Sequence, residues 1–82
     1  MQEIQNLNAV LEAVLFAAGE PLALNVIAQA LEMTPAKTKA ALNELKSEYD
    51  YQMRGLRLIE MDGTYQLSTR ADYFPYVRSA LK

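Results

Sequence analysis

The side chains able to do chemistry here are carboxylates, lysines, arginines, hydroxyls and tyrosines, because the 82 residues contain no histidine and no cysteine. The commonest general base and metal ligand are therefore missing, as is every thiolate or disulfide. The acids Glu12, Glu20, Glu32, Glu44, Glu48, Asp50, Glu60, Asp62 and Asp72 are scattered along the chain. Asp62 is explained by the turn signal it makes with Gly63. Glu44 and Glu48, at i, i+4, fall on the solvent side of a helix. With Asp50 they could be read as a hard-cation site, but a solvated helix face accounts for the same residues with no ligand. No GxxxxGKS, GxxxxGKT, GxGxxG or HExxH pattern occurs, and three glycines cannot build a phosphate-cradling loop. No catalytic residue, metal ligand or cofactor-binding residue is expected, and the chain reads as a non-enzyme.

Two binding chemistries remain. For nucleic acid, the candidates are Lys37, Lys39 and Asn43 in the N-terminal half of one helix. That helix also holds Lys46, against Glu44, Glu48 and Asp50, and so nets to zero charge. The chain as a whole is at −2, with 8 Lys and Arg against 10 Asp and Glu, which gives no electrostatic pull toward phosphate. For protein partners, the candidates are Ala9, Ala13, Phe16, Tyr51 and Met53. Leu7, Val10, Leu11, Val14, Leu15 and Ala18 share one broad arc of a helix with Ile4, the side that faces a core. Phe16, Ala9 and Ala13 lie opposite, where a surface helix normally carries polar residues. Tyr51 and Met53 sit beside the hinge into a hairpin, and Tyr and Met are common in interfaces.

The elements that must position these residues can be read in order. Helix 1 is expected from Glu3 or Asn6 to Ala18, with Gly19 just past its end and Pro21 blocking its resumption. Pro21–Leu24 alternates and predicts a very short strand. Asn25 is the expected N-cap of helix 2, with Ile27, Ala30 and Leu31 as its inner stripe. Thr34 before Pro35 is a strong start signal for helix 3, expected to run to Tyr49 with Thr38, Ala41, Leu42, Leu45 and Tyr49 inward. The period then falls to 2. Leu56–Met61 and Thr64–Thr69 flank Asp62–Gly63 as a β-hairpin, with Tyr65 and Leu67 on one face. A helical pattern returns from Ala71, tolerating Pro75 only in the first turn or as the point where the helix itself begins.

Helix, short strand, helix, helix, hairpin, helix is the order of a winged helix, an α+β fold with a helix-turn-helix core and a two-stranded wing. One domain over residues 1–82 is expected. The missing stop signal at Leu81–Lys82 favours its being one domain of a longer protein. Hydrophobic content of 51% is too high for a disordered chain. No apolar run reaches the ~18–20 residues of a membrane span, and the N-terminus lacks a basic signal region, so a cytoplasmic domain is expected.

Four ordered pieces carry a family resemblance. Leu11–Leu22 is of the LEALLFASGEPL kind, Ala41–Tyr49 follows ALxxLxxEY, Gly55–Arg70 follows GLxLxExxGGYQLxTR, and Ala71–Arg78 follows a PEYxPYVR-type helix start. The set, spanning nearly the whole chain, resembles the N-terminal winged helix of the segregation and condensation protein B family. Asp62 stands where that family often has glycine, and Ala71 where it often has proline. The resemblance implies a non-catalytic, homodimerising subunit that binds a kleisin and, through it, an SMC ATPase in bacterial chromosome condensation and segregation. It also implies that a second winged helix follows this domain. A winged-helix transcriptional regulator contacting DNA through Lys37, Lys39, Asn43 and the wing is the alternative.

Overall fold

The computed structural model describes residues 4–82. Helix α1 spans Leu7–Ala18, strand β1 Leu22–Ala23, helix α2 Leu24–Leu31 and helix α3 Pro35–Tyr51. Strands β2 (Leu56–Met61) and β3 (Thr64–Thr69) follow, then a 3-10 turn over Ala71–Tyr73 and helix α4 over Phe74–Ala80. The sheet is antiparallel in the order β1-β3-β2. This is a winged helix: α2 and α3 form the helix-turn-helix, β2 and β3 the wing.

The chain punctuation acts locally. Gly19 takes φ 63° and its N–H donates to the Leu15 carbonyl, ending α1. The Thr34 hydroxyl accepts from the Lys37 N–H at the start of α3, leaving Pro35 where a missing N–H is harmless. Asp62 and Gly63, at φ 51° and 79°, make the two-residue wing turn in which both central residues are left-handed. Pro75 lies in the first turn of α4.

Leu11, Leu15, Ile27, Leu31, Ala41, Leu42, Leu45, Tyr49, Leu58 and Tyr65 form one buried cluster joining α1, α2, α3 and the wing. Thr38 is the one buried polar side chain among the described residues, and its hydroxyl donates to the Thr34 carbonyl at 2.8 Å. Leu22 pairs with Tyr65 and Ala23 with Thr64, and the Leu24 N–H donates to the Gly63 carbonyl at 3.0 Å. The start of α2 is thereby stitched to the wing turn.

Four local expectations are corrected. Helix α2 begins at Leu24 with extended Ala23 as its cap, placing Asn25 inside the first turn. The pairing of β1 with β3 holds the backbone extended up to Ala23, which leaves Asn25 no capping role. On the same helix Ala28 is buried and Ala30 is exposed. Helix α3 continues to Tyr51, two residues past Tyr49. Of the two starts expected for α1, Asn6 is the capping residue, with left-handed φ 56°, and Glu3 lies outside the described residues. The last helix is divided, with Ala71–Tyr73 as a 3-10 turn before α4.

Candidate protein-contact site

Helix α1 presents two surfaces. Leu11 and Leu15 are buried beneath it, while Ala9, Ala13 and Phe16 are exposed on its far side. Phe16 is 74% exposed. The ring and the two alanines form an exposed apolar patch on this side of the helix. Ala9, Glu12, Ala13, Phe16 and Leu56 line a shallow open depression of about 270 Å³. Leu56, at the base of the wing, is the member that sequence reasoning missed. The β2 pattern marked it as strand, but only the packing of the wing beside α1 brings it to Phe16. Tyr51 and Met53 are exposed as expected, at the end of α3 and on the connection to β2, and neither lines this depression.

A second, larger groove of about 510 Å³ runs between α1 and α3 and shares Ala9 and Glu12 with the depression. Half-buried Leu7 provides apolar surface over the buried Ala41 and Leu45, and Glu12, Glu44 and Glu48 provide acids. The Tyr49 hydroxyl donates to the Glu12 carboxylate, and the Asn8 amide donates to Glu48 at 3.0 Å. Glu44 has no hydrogen-bond partner among the described residues. At one end Arg54 lies over the Tyr49 ring, 5.6 Å from its centroid. Glu44, Glu48 and Asp50 do not converge: Glu48 is held by Asn8, and Asp50 pairs with Arg70 at 3.0 Å. Among the described residues no group of three or more His, Cys, Asp or Glu side chains could hold a metal ion.

Burial pushes the Tyr49 hydroxyl well above the usual tyrosine range, and the hydrogen bond to Glu12 raises it further. Tyr65 is raised by burial, with the Glu60 charge, its partner across the β2–β3 ladder, adding to it. A tyrosine whose folded-state pKa lies above its unfolded value of about 10 stabilises the fold fully below that pH, and the contribution is lost as pH rises toward the folded value. The denaturant midpoint is therefore expected to hold between pH 7 and 9 and to fall above pH ~10. Tyr49→Phe is expected to flatten that fall in urea melts at pH 8 and 11, and an equally steep fall in the variant would count against the Tyr49–Glu12 contact.

The nucleic-acid candidates Lys37, Lys39 and Asn43 are all exposed on α3. They are followed on the same helix by Glu44, Glu48 and Asp50, and the wing turn carries Asp62. No described helix is long and apolar enough to cross a membrane.

Comparison with known proteins places this arrangement. A family model described as segregation and condensation complex subunit ScpB matches residues 9–82. Segregation and condensation protein B of Clostridium tetani is 36% identical over 74 residues, covering 90% of this chain and 39% of the relative. That of Syntrophotalea carbinolica is 42% identical over 72 residues, covering 88% of this chain and 36% of the relative. The chain thus spans less than two-fifths of the length of either. Among solved structures, a dimer of the ScpB N-terminal domain complexed with ScpA peptide matches with a TM-score of 0.84 and 36% identity, covering 89% of this chain and 91% of that one. ScpB from Mycobacterium tuberculosis matches with a TM-score of 0.91 and 28% identity, covering 98% of this chain and 51% of that one.

Proposed function

The chain belongs to the segregation and condensation complex subunit ScpB family, and from that premise we propose that it is a protein-contact module of a bacterial SMC–kleisin complex. It pairs with a second copy of itself and holds a kleisin segment. Through the kleisin it joins an SMC ATPase in chromosome condensation and segregation. It performs no catalysis, needs no cofactor and works in the cytoplasm at the nucleoid. Residues 1–82 form one winged-helix domain, the N-terminal part of a longer two-domain subunit. The incomplete coverage of the curated relatives supports that placement.

The observation that carries the reading is the outer face of α1, where Phe16 stands exposed between Ala9, Ala13 and Leu56. A winged helix free to bind DNA would spend its exposed side chains on cations. This one leaves an aromatic residue open beside a neutral α3 and an acidic wing turn, which suits protein contact. Likeness to a domain solved as a dimer with ScpA peptide supports the same reading. Phe16→Asp is expected to convert the paired chain to monomer in sedimentation equilibrium while leaving circular dichroism and the thermal midpoint essentially unchanged. A variant that pairs as well as the parent removes this face from the pairing surface, and a parent chain that is strictly monomeric at high concentration overturns the pairing itself.

A further inference from the structure

Among the described residues, helix α4 is the element packed least against the rest of the fold. None of its residues is buried, and its packing is chiefly against the 3-10 turn that precedes it. Its root is fixed. The Arg70 guanidinium donates to the Tyr49 and Arg54 carbonyls, and the Tyr73 hydroxyl donates to the Met53 carbonyl at 3.0 Å. From that anchorage at the end of α3 the helix runs outward. Helical spacing sets Phe74, Val77, Arg78 and Leu81 on one face. Phe74 and Leu81 are 44% and 80% exposed. The face is therefore apolar with a single cation in its middle.

The α1–α3 groove is complementary in charge, with Glu12, Glu44 and Glu48 beside Leu7 and Ala9 and above the buried Ala41 and Leu45. Glu12 and Glu48 already accept hydrogen bonds from Tyr49 and Asn8. Glu44 is the acid left to receive a new cation. Arg54 closes the Tyr49 end, so a cationic helix would seat toward Glu44. A helix of 7 residues is about 10 Å long, short enough to lie along two turns of α3.

We propose that α4 of one copy seats its Phe74–Val77–Arg78–Leu81 face in the α1–α3 groove of a second copy, with Arg78 against Glu44, and that the exchange is reciprocal. The inference rests on the pairing reading above and supplies its geometry. A two-fold exchange uses each contact twice, and the groove shares Ala9 and Glu12 with the Phe16 depression, so both belong to one continuous surface.

The test uses charge reversal in the 82-residue chain, read by sedimentation equilibrium. Glu44→Arg and Arg78→Glu are each expected to weaken self-association at least about tenfold, since each sets like charges together at the contact. The double variant, which restores an opposite pair, is expected to recover to within about threefold of the parent. Because the chain lacks cysteine, Glu44→Cys and Arg78→Cys chains can be mixed and treated with a short bis-maleimide. Cross-links are expected between the two variants in preference to either with itself. A parent that pairs while both reversals leave its affinity unchanged overturns the α4 exchange and spares the pairing. So does cross-linking without preference. A parent that never pairs overturns the reading beneath it.

Discussion

Leu15→Asp is expected to leave the chain unfolded at 25 °C. Leu15 is 1% exposed and belongs to the cluster that joins α1 to α2, α3 and the wing. Losing its side chain from a packed core costs about 2–5 kcal/mol. A buried carboxylate without a partner adds several kcal/mol, or is protonated at a comparable cost. A domain of this size has only about 4–12 kcal/mol in all, so the sum reaches the whole stability. Circular dichroism should show loss of helix, and amide proton shifts should collapse to the random-coil range. The contrast with Phe16→Asp is instructive. One step along α1 turns the side chain by about 100°, and the same substitution passes from destroying the fold to changing only what the fold touches. A folded Leu15→Asp chain would mean that α1 is not docked as described.

Arg70→Ala carries the second largest expected effect. The Arg70 side chain is 11% exposed. Its guanidinium reaches the Arg54 carbonyl at 3.0 Å, the Tyr49 carbonyl at 3.2 Å and the Asp50 carboxylate at 3.0 Å, while its own N–H donates to the Gly55 carbonyl at 2.9 Å. The last carbonyls of a helix have no partners within it, and a cation there meets the negative end of the helix dipole. Arg70 thus caps α3 with a side chain that arrives from the far end of β3, and ties helix, wing and α4 root together. Its removal takes a donor from the Arg54 carbonyl and leaves the Tyr49 carbonyl with the Arg54 N–H alone, at 3.1 Å, and is expected to cost about 2–3 kcal/mol. That corresponds to a fall of roughly 10–20 °C in the thermal midpoint of a domain this small. The Asp50 contact adds little, because that carboxylate is about half exposed. Arg70→Lys should recover little of the loss, since one ammonium cannot reproduce a planar fork reaching three acceptors. A thermal midpoint within 2–3 °C of the parent would show the clamp to be incidental.

Much of this is legible in the sequence. Thr34–Pro35, Gly19, Asp62–Gly63 and Pro75 act through local backbone rules, and the structure places each of them as its type demands. The two faces of α1 were also legible, because 3.6-residue spacing assigns sides to a helix without knowledge of its neighbours. Arg70 was not. Its partners lie 16 to 21 residues away in sequence, and an arginine at the end of a strand looks like any solvated cation. The groove between α1 and α3 was equally hidden. Most of its residues belong to two helices far apart in sequence, and their common lining follows only from how those helices cross.

The smallest disagreement shows the limit most clearly. With Ile27 and Leu31 defining the inward direction of α2, Ala28 and Ala30 lie about 80° to either side of it, as 100° per residue requires. Periodicity cannot choose between them. The packing of α2 against α3, with its start stitched to the wing through the Leu24–Gly63 hydrogen bond, rolls the helix so that Ala28 is buried and Ala30 faces outward. Sequence alone determined the element order, the turns, the winged-helix class and the surplus apolar face carrying Phe16. All of these rest on local propensity and on the spacing of apolar side chains. Tertiary structure alone decided that Leu56 lines the depression beside Phe16, that Glu12 meets Tyr49, that Arg70 caps α3 and that no side chain of α4 is buried. Those outcomes depend on the angles at which elements dock, and docking angles come from the shapes of whole packed surfaces rather than from any run of residues.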